Sequence, residues 1–486
     1  MVALFNILPV IQILGFLLIL LSFLMTLPVN LLMFGDTPDW LAFVKSAGIC
    51  FGVGLVCFFS AGRNKRHALK QKQMFILTVS AWVFIPLFSS LPLLLSDLKL
   101  SVTDAFFESI SGVTTTGSTV MSGLDNLPGD ILLWRSIMQW MGGIGIIGMA
   151  VAILPFLRIG GMRLFATESS EWTEKAVPRT NRLARGLVFS YLALTFGCIL
   201  TYWALGMDLF NAVNHALTTV STGGYSTSDS SMGQFDQLSI LFASSLFMML
   251  GGIPFFLFVR LLNGQVQPLL RDQQIHFFLK FLLLIACLIT IYRVVNEGTF
   301  PVDAFVHALF NVTSVVTTTG YASQDYSLWG PFVVVLFFFL TFVGGCSGST
   351  SGGMKIFRFQ LSMLLLREQV LRLLHPNAVI ARHYNGRIIS DEIVASSVAF
   401  SFIFLATLAV VAAILAALGL DLVTSLTGAA TALANVGPGL GDTIGPAGNF
   451  QTLPDAAKWV LMIAMLLGRL ELLSVFVMFS PHFWRS

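Results

Sequence analysis

Charge is scarce in this chain. Asp, Glu, Lys and Arg make up 10% of its 486 residues, where a soluble domain carries about 25%, and this excludes an ordinary water-soluble globule. No run of like charges occurs and the net charge is only +3, which removes a nucleic-acid face from consideration. Cysteine is also sparse. Cys50, Cys57, Cys198, Cys287 and Cys346 all lie in apolar segments, and their spacing matches neither a zinc site nor a disulfide framework, so they read as small packing residues. No basic stretch precedes the first apolar run and no small-residue cleavage site follows it, so residues 7–34 read as a retained helix rather than a removed signal. No Ser-His-Asp, Cys-His or paired-carboxylate set stands out. An enzyme is therefore not expected, nor an organic cofactor.

Apolar residues are abundant, at 56%, with 44 Phe and 42 Gly. Glycine is useful where membrane helices pack closely. A spanning helix needs roughly 20 apolar residues. Ten stretches qualify: 7–34, 39–61, 73–96, 131–157, 183–206, 237–262, 275–296, 331–353, 391–419 and 455–480. Most Lys and Arg then fall on one side of the bilayer. They lie in 62–72 (Arg63, Lys65, Arg66, Lys70, Lys72), in 158–185 (Arg158, Arg163, Lys175, Arg179, Arg182, Arg185), at Arg260, Arg271 and Lys280, and between Lys355 and Arg387. The excess of positive charge marks that side as cytoplasmic, and ten spans return both termini to it. Acids such as Asp97, Asp104, Asp229, Asp303 and Asp421 map to the opposite side. There they suit helix N-caps and bias the surface toward cations.

Four short loops, each between two apolar stretches, align without a gap. They run 105–117, 212–224, 308–320 and 425–437, ending at Gly117, Gly224, Gly320 and Gly437. The helix leading into each is too short to span, so each loop reads as re-entrant, a form the bilayer tolerates only when protein or a cavity shields the backbone. Each unit starts and ends inside, which gives parallel repeats about an axis along the membrane normal. A cation crossing a membrane must exchange water for other oxygens, and backbone carbonyls supply them without a full charge. The expected ring uses Thr115, Thr116 and Gly117, then Thr222, Gly223 and Gly224, then Thr318, Thr319 and Gly320, and finally Asn435, Val436 and Gly437. Glycine lets the loop leave ordinary dihedral space.

The helix after each loop carries another glycine, aligned as Gly143, Gly252, Gly345 and Gly468. In the third unit it belongs to the run Gly344, Gly345, Cys346, Ser347, Gly348, Ser349, Thr350, Ser351, Gly352 and Gly353, which resists helix formation. That run reads as a movable constriction below the ring. Arg469 is its expected partner, since a buried Arg needs carbonyls or an acid. Glu108 and His215 occupy one column of the short helices, with Asn311 and Gly428 in the other units, and read as supports behind the loops. Arg135 lies near a helix end and would snorkel. The pattern Gly143-Ile-Gly145-Ile-Ile-Gly148 matches a dinucleotide fingerprint but has no strand before it, so it reads as helix packing.

The motifs 107–117, 221–225, 317–321 and 434–439 closely resemble those of the Trk/Ktr/HKT superfamily of potassium transporters, and among them the bacterial Trk membrane subunit. The resemblance covers nearly the whole chain. It implies an all-α integral membrane protein of ten helices. Residues 1–72 would form an extra pair, and 73–157, 158–262, 263–390 and 391–486 four pore repeats. It further implies potassium as the transported ion, with glycine rather than serine at position 117 setting that preference. Also implied are the bacterial inner membrane, a homodimer, a cytosolic nucleotide-binding regulatory ring, and a gating loop at the broken third-unit helix. The alternative is a sodium- or proton-coupled symporter, which would need a mid-membrane acid; Glu108 is the candidate.

Overall fold

The computed structural model of the chain describes residues 7–33, 38–60, 69–152, 176–235, 237–377 and 380–485. Two helices, Leu8–Leu24 and Trp40–Ser60, pack against each other at the start. A pattern of leading helix, short helix, loop and trailing helix then occurs four times. The leading helices are Gln71–Ser89, Ala176–Ala204, Gln273–Glu297 and Asp391–Ala417. The short helices are Val102–Val113, Leu209–Val220, Pro301–Val316 and Leu422–Ala434. The trailing helices begin at Gly129, Leu238, Pro331 and Asp455.

Among the described residues, seven helices are long and apolar enough to cross a membrane, and the pair Leu238–Gly251 and Phe255–Leu262, bent by 91°, makes an eighth candidate. The two other stretches expected to span, 331–353 and 455–480, are interrupted. The first is helical over Pro331–Leu340, leaves the helix, and resumes as Ile356–Leu374. The second runs Asp455–Arg469 and restarts at Leu473, with Glu471 and Leu472 at φ +53° and +36°. The bend in the second trailing helix falls at Gly251, Gly252 and Pro254, where proline cannot donate the next helical hydrogen bond.

The short helices start with explicit caps. Ser101 Oγ accepts from the amide of Asp104 at 3.0 Å, Asp208 from Asn211 at 3.0 Å, and Asp421 from Thr424 at 3.1 Å. In the third unit Pro301 occupies the first turn, where its missing N–H costs nothing. Thus Asp104 sits inside the first turn, and Ser101 is the cap. Each short helix ends at its loop, so its partial negative charge points there.

Packing joins the units in cyclic order. The second short helix lies against the first trailing helix, the third against the second, and the first against the fourth. The joint between units three and four is made by backbone, with Gly352 directly against the carbonyl of Ala434. Away from this centre the long helices expose large apolar side chains, among them Phe59, Leu284 and Phe402, a surface suited to lipid tails.

Candidate functional site

The four glycine loops share one backbone conformation. Thr115, Thr222, Thr318 and Asn435 have φ of +52°, +51°, +55° and +55°. Two residues on, Gly117, Gly224, Gly320 and Gly437 have φ of +87°, +80°, +82° and +112°. Left-handed and ordinary dihedrals therefore alternate, which turns successive carbonyls to the same side of the strand. The loops also touch in a closed order. A Cβ on Gly117 would lie 2.2 Å from the carbonyl oxygen of Gly223, one on Gly224 1.8 Å from that of Thr319, one on Gly320 1.9 Å from that of Val436, and one on Gly437 2.9 Å from that of Thr116. Glycine is needed here for its dihedral and because the next loop's carbonyl occupies the side-chain space.

The residues that lead into the loop glycines are buried, Thr115, Thr116, Thr222, Thr318, Thr319, Asn435 and Val436 among them, while Gly117, Gly224 and Gly320 are half-buried. Among the described residues, the carbonyls of Thr115, Thr116, Thr222, Thr318, Thr319, Asn435 and Val436 accept no hydrogen bond. Buried carbonyls are nearly always satisfied in folded proteins. So many in one place form a donor set suited to a bare cation. All four loop glycines line a single cavity of about 220 Å³, whose wall also carries Ser118, Arg135, Tyr225 and Asp229.

Behind the loops lies a buried polar frame. Glu108 accepts from Arg135 Nε at 2.8 Å, from Thr119 Oγ1 at 3.0 Å and from the Val120 amide at 3.0 Å. The Arg135 guanidinium stacks 4.1 Å from the Tyr225 ring centre and donates to the Ser226 carbonyl at 3.0 Å. Arg135 is 1% exposed, so it is paired in the interior and does not snorkel. The tyrosines after two glycines tie adjacent units together. Tyr225 Oη donates to the Glu108 carbonyl at 2.8 Å and Tyr321 Oη to the His215 carbonyl at 3.1 Å. The column residues also hold the ascending strands: His215 Nε2 contacts Ser226 Oγ at 3.0 Å, and Asn311 Oδ1 accepts from the Ser323 amide at 3.2 Å. Removing Glu108 leaves Arg135 charged, buried and short of its partner. Glu108→Ala should destabilise the protein by about 3–5 kcal/mol, read as a lowered denaturation midpoint in detergent. A midpoint equal to wild type would contradict the assigned role.

The 344–353 segment folds against the second, third and fourth loops. Its flanks, Val343–Gly344 and Met354–Lys355, pair as short parallel strands. Cys346 donates its amide to the Gly252 carbonyl at 2.9 Å, so the segment fills the break in the second trailing helix. Thr350 Oγ1 meets Thr222 Oγ1 at 3.1 Å, and the Gly352 amide donates to Thr318 Oγ1 at 2.6 Å. Arg469 Nη1 donates to the Thr350 carbonyl at 3.0 Å, while its Nε and Nη2 are buried without a hydrogen-bond partner among the described residues and its guanidinium lies 5.9 Å from the Trp82 ring centre. Lys355 Nζ donates to the Ser351 carbonyl. Arg358 pairs with Glu471 at 2.9 Å, a link that spacing alone did not reveal.

The trailing-helix glycines fall in a different register from that read in the sequence. Gly142, Gly251 and Gly468 each face a carbonyl of their own short helix, those of Val113, Val220 and Leu433. Gly143 and Gly252 face the next loop, at Ser221 and Thr317. Gly468 is thus the counterpart of Gly142, and Arg469 stands where units one and two place a second glycine.

A family model described as TrkH, a cation transport protein, matches residues 41–486. The chain is 50% identical over 479 residues to the Trk system potassium uptake protein TrkI of Halomonas elongata, a match covering 98% of this chain and 97% of the relative. It is 38% identical to the Trk system potassium uptake protein TrkH of Vibrio parahaemolyticus, over 98% and 99%. The crystal structure of the potassium transporter TrkH from Vibrio parahaemolyticus is similar with a TM-score of 0.90 at 36% identity, covering 98% of this chain and 99% of that one.

Proposed function

Because the chain belongs to the TrkH family of cation transport proteins, we propose that it carries potassium into the bacterial cell across the inner membrane. The four helix–loop–helix units act as parallel repeats around a central pore, with the bent and interrupted trailing helices completing ten spans and both termini in the cytoplasm. Potassium is the cargo, and it sheds water for the carbonyls around Gly117, Gly224, Gly320 and Gly437. The 344–353 segment, held by Arg469, is the gate below them. The working assembly is a homodimer controlled by a cytosolic nucleotide-binding ring. That ring docks on the basic stretches 158–185 and 355–390; of these, 158–175 lies outside the described residues.

One observation carries the reading: four loops in cyclic contact present buried carbonyls that no protein donor satisfies among the described residues. The inward membrane potential supplies about 2.3 kcal/mol per charge per 100 mV, which is enough to drive uptake without chemistry. The coupled-symport alternative gains nothing from Glu108, whose carboxylate is tied to Arg135, Thr119 and Val120. The test is rubidium uptake by potassium-starved cells that depend on this chain. Saturable uptake inhibited by potassium far better than by sodium is expected. Uptake that moves protons in a fixed ratio would favour the alternative, and no uptake would overturn the reading.

A further inference from the structure

The second loop departs from its neighbours at one position. Loops one and three have threonine just before the terminal glycine, Thr116 and Thr319, whereas loop two has Gly223. In loops one and three that threonine folds back on the residue two before it: Thr116 Oγ1 lies 2.7 Å from Thr114 Oγ1, and Thr319 Oγ1 2.8 Å from Thr317 Oγ1. In loop two the corresponding space is taken by Gln139, from the first trailing helix. A Cβ on Gly223 would lie 2.4 Å from Gln139 Cδ.

Gln139 is fully buried and both ends of its amide are engaged. Its Nε2 donates to the Gly223 carbonyl at 2.6 Å, and its Oε1 accepts from the Tyr225 amide at 3.0 Å. It therefore brackets Gly224 from both sides. Of the four carbonyls that precede the loop glycines, Gly223's is the one that takes a protein hydrogen bond; those of Thr116, Thr319 and Val436 take none among the described residues. At the positions equivalent to Gln139, three residues before Gly251 and Gly468, stand Met248 and Met465, which offer no such bond.

We propose that Gln139 is a positioning residue that determines cation specificity. By donating to the Gly223 carbonyl and accepting from the Tyr225 amide it holds that carbonyl in place, as the paired threonine hydroxyls hold loops one and three. The ring is thus built with three free ligands and one restrained one. This inference rests on the proposed function and adds to it the device that sets how well the ring discriminates between ions.

The test is a second-site reversal, read as rubidium uptake in the presence and absence of sodium by cells that depend on the full chain. Gln139→Met removes both bonds and leaves Gly223 unsupported. Sodium should then compete about three- to tenfold better than in wild type, the scale of one or two hydrogen bonds. Gly223→Thr alone forces Gln139 aside and should also lose discrimination. The double variant Gln139→Met with Gly223→Thr rebuilds the arrangement of loops one and three, with Ser221 as the hydroxyl partner, and should return potassium preference to wild-type level or above. A purely structural role would move protein amount and total uptake but not the sodium ratio. An unchanged ratio in Gln139→Met, or a double variant no better than the singles, overturns the proposal. Should Gln139→Met fail to reach the membrane, the double variant decides alone: selective uptake supports the proposal and its loss overturns it. A wild type that does not prefer potassium would instead overturn the functional reading itself.

Discussion

Gly320→Ser is expected to reduce the preference for potassium over sodium by at least about tenfold, equivalent to roughly 1.4 kcal/mol, and to lower rubidium uptake with it. Two effects combine. The residue sits at φ +82°, where an L side chain is strained by about 1–2 kcal/mol. Its Cβ would also lie 1.9 Å from the carbonyl oxygen of Val436 and 2.9 Å from Pro438 Cδ. The neighbouring loop must move, and because each loop abuts the next, the displacement passes around the circle. A control separates the two effects. Gly264 has nearly the same dihedral, φ +81°, with nothing within 4 Å of where a Cβ would stand. Gly264→Ser should cost stability but leave the ion preference intact. Equal preference in both variants and wild type would argue strongly against the four loops acting together.

Arg469→Gln is expected to raise basal uptake. The guanidinium donates to the Thr350 carbonyl, and Thr350 in turn touches the second loop through Thr222. A hydrogen bond from a charged group contributes about 1.5–3 kcal/mol. Losing it shifts a closed–open equilibrium by about 10- to 100-fold. Removing the charge also lifts a local repulsion for cations. Folding should suffer less than for most buried charges, because two of the Arg469 nitrogens have no hydrogen-bond partner among the described residues. Rubidium efflux from preloaded vesicles, compared with wild type at equal protein, reads the effect. Unchanged or slower efflux would exclude a closing role for Arg469.

The periodic features of the site were legible in the sequence, and the features that break the period were not. Four glycines at the same aligned position, each closing a short loop between apolar stretches, announce the loops, because their dihedral requirement leaves few alternatives to glycine. The threonines and Asn435, which share the left-handed conformation, gave no such sign: their residue types are common in ordinary turns. Gln139 is one polar residue in a largely apolar helix, and nothing around it in the sequence singles it out. Its meaning depends on a contact 84 residues away, with Gly223. Arg135 illustrates the same limit, since its position near a helix end suggested snorkelling and only the fold brings it to Glu108. The glycine-rich run at 344–353 marked its own break. The break after Arg469 is carried by Glu471 and Leu472, residues with no intrinsic tendency to interrupt a helix. There Glu471 is drawn to Arg358, a tertiary attraction that overrides local preference.

The central claim is that the four loops hold a dehydrated alkali cation between them. Anomalous diffraction from crystals of the protein grown in rubidium tests it directly. Rubidium is expected on the common axis of Gly117, Gly224, Gly320 and Gly437, ringed by the carbonyls of Thr116, Thr319, Val436 and Gly223, the last held in place by Gln139. Rubidium bound elsewhere in a transport-competent protein, with none between these glycines, would contradict it.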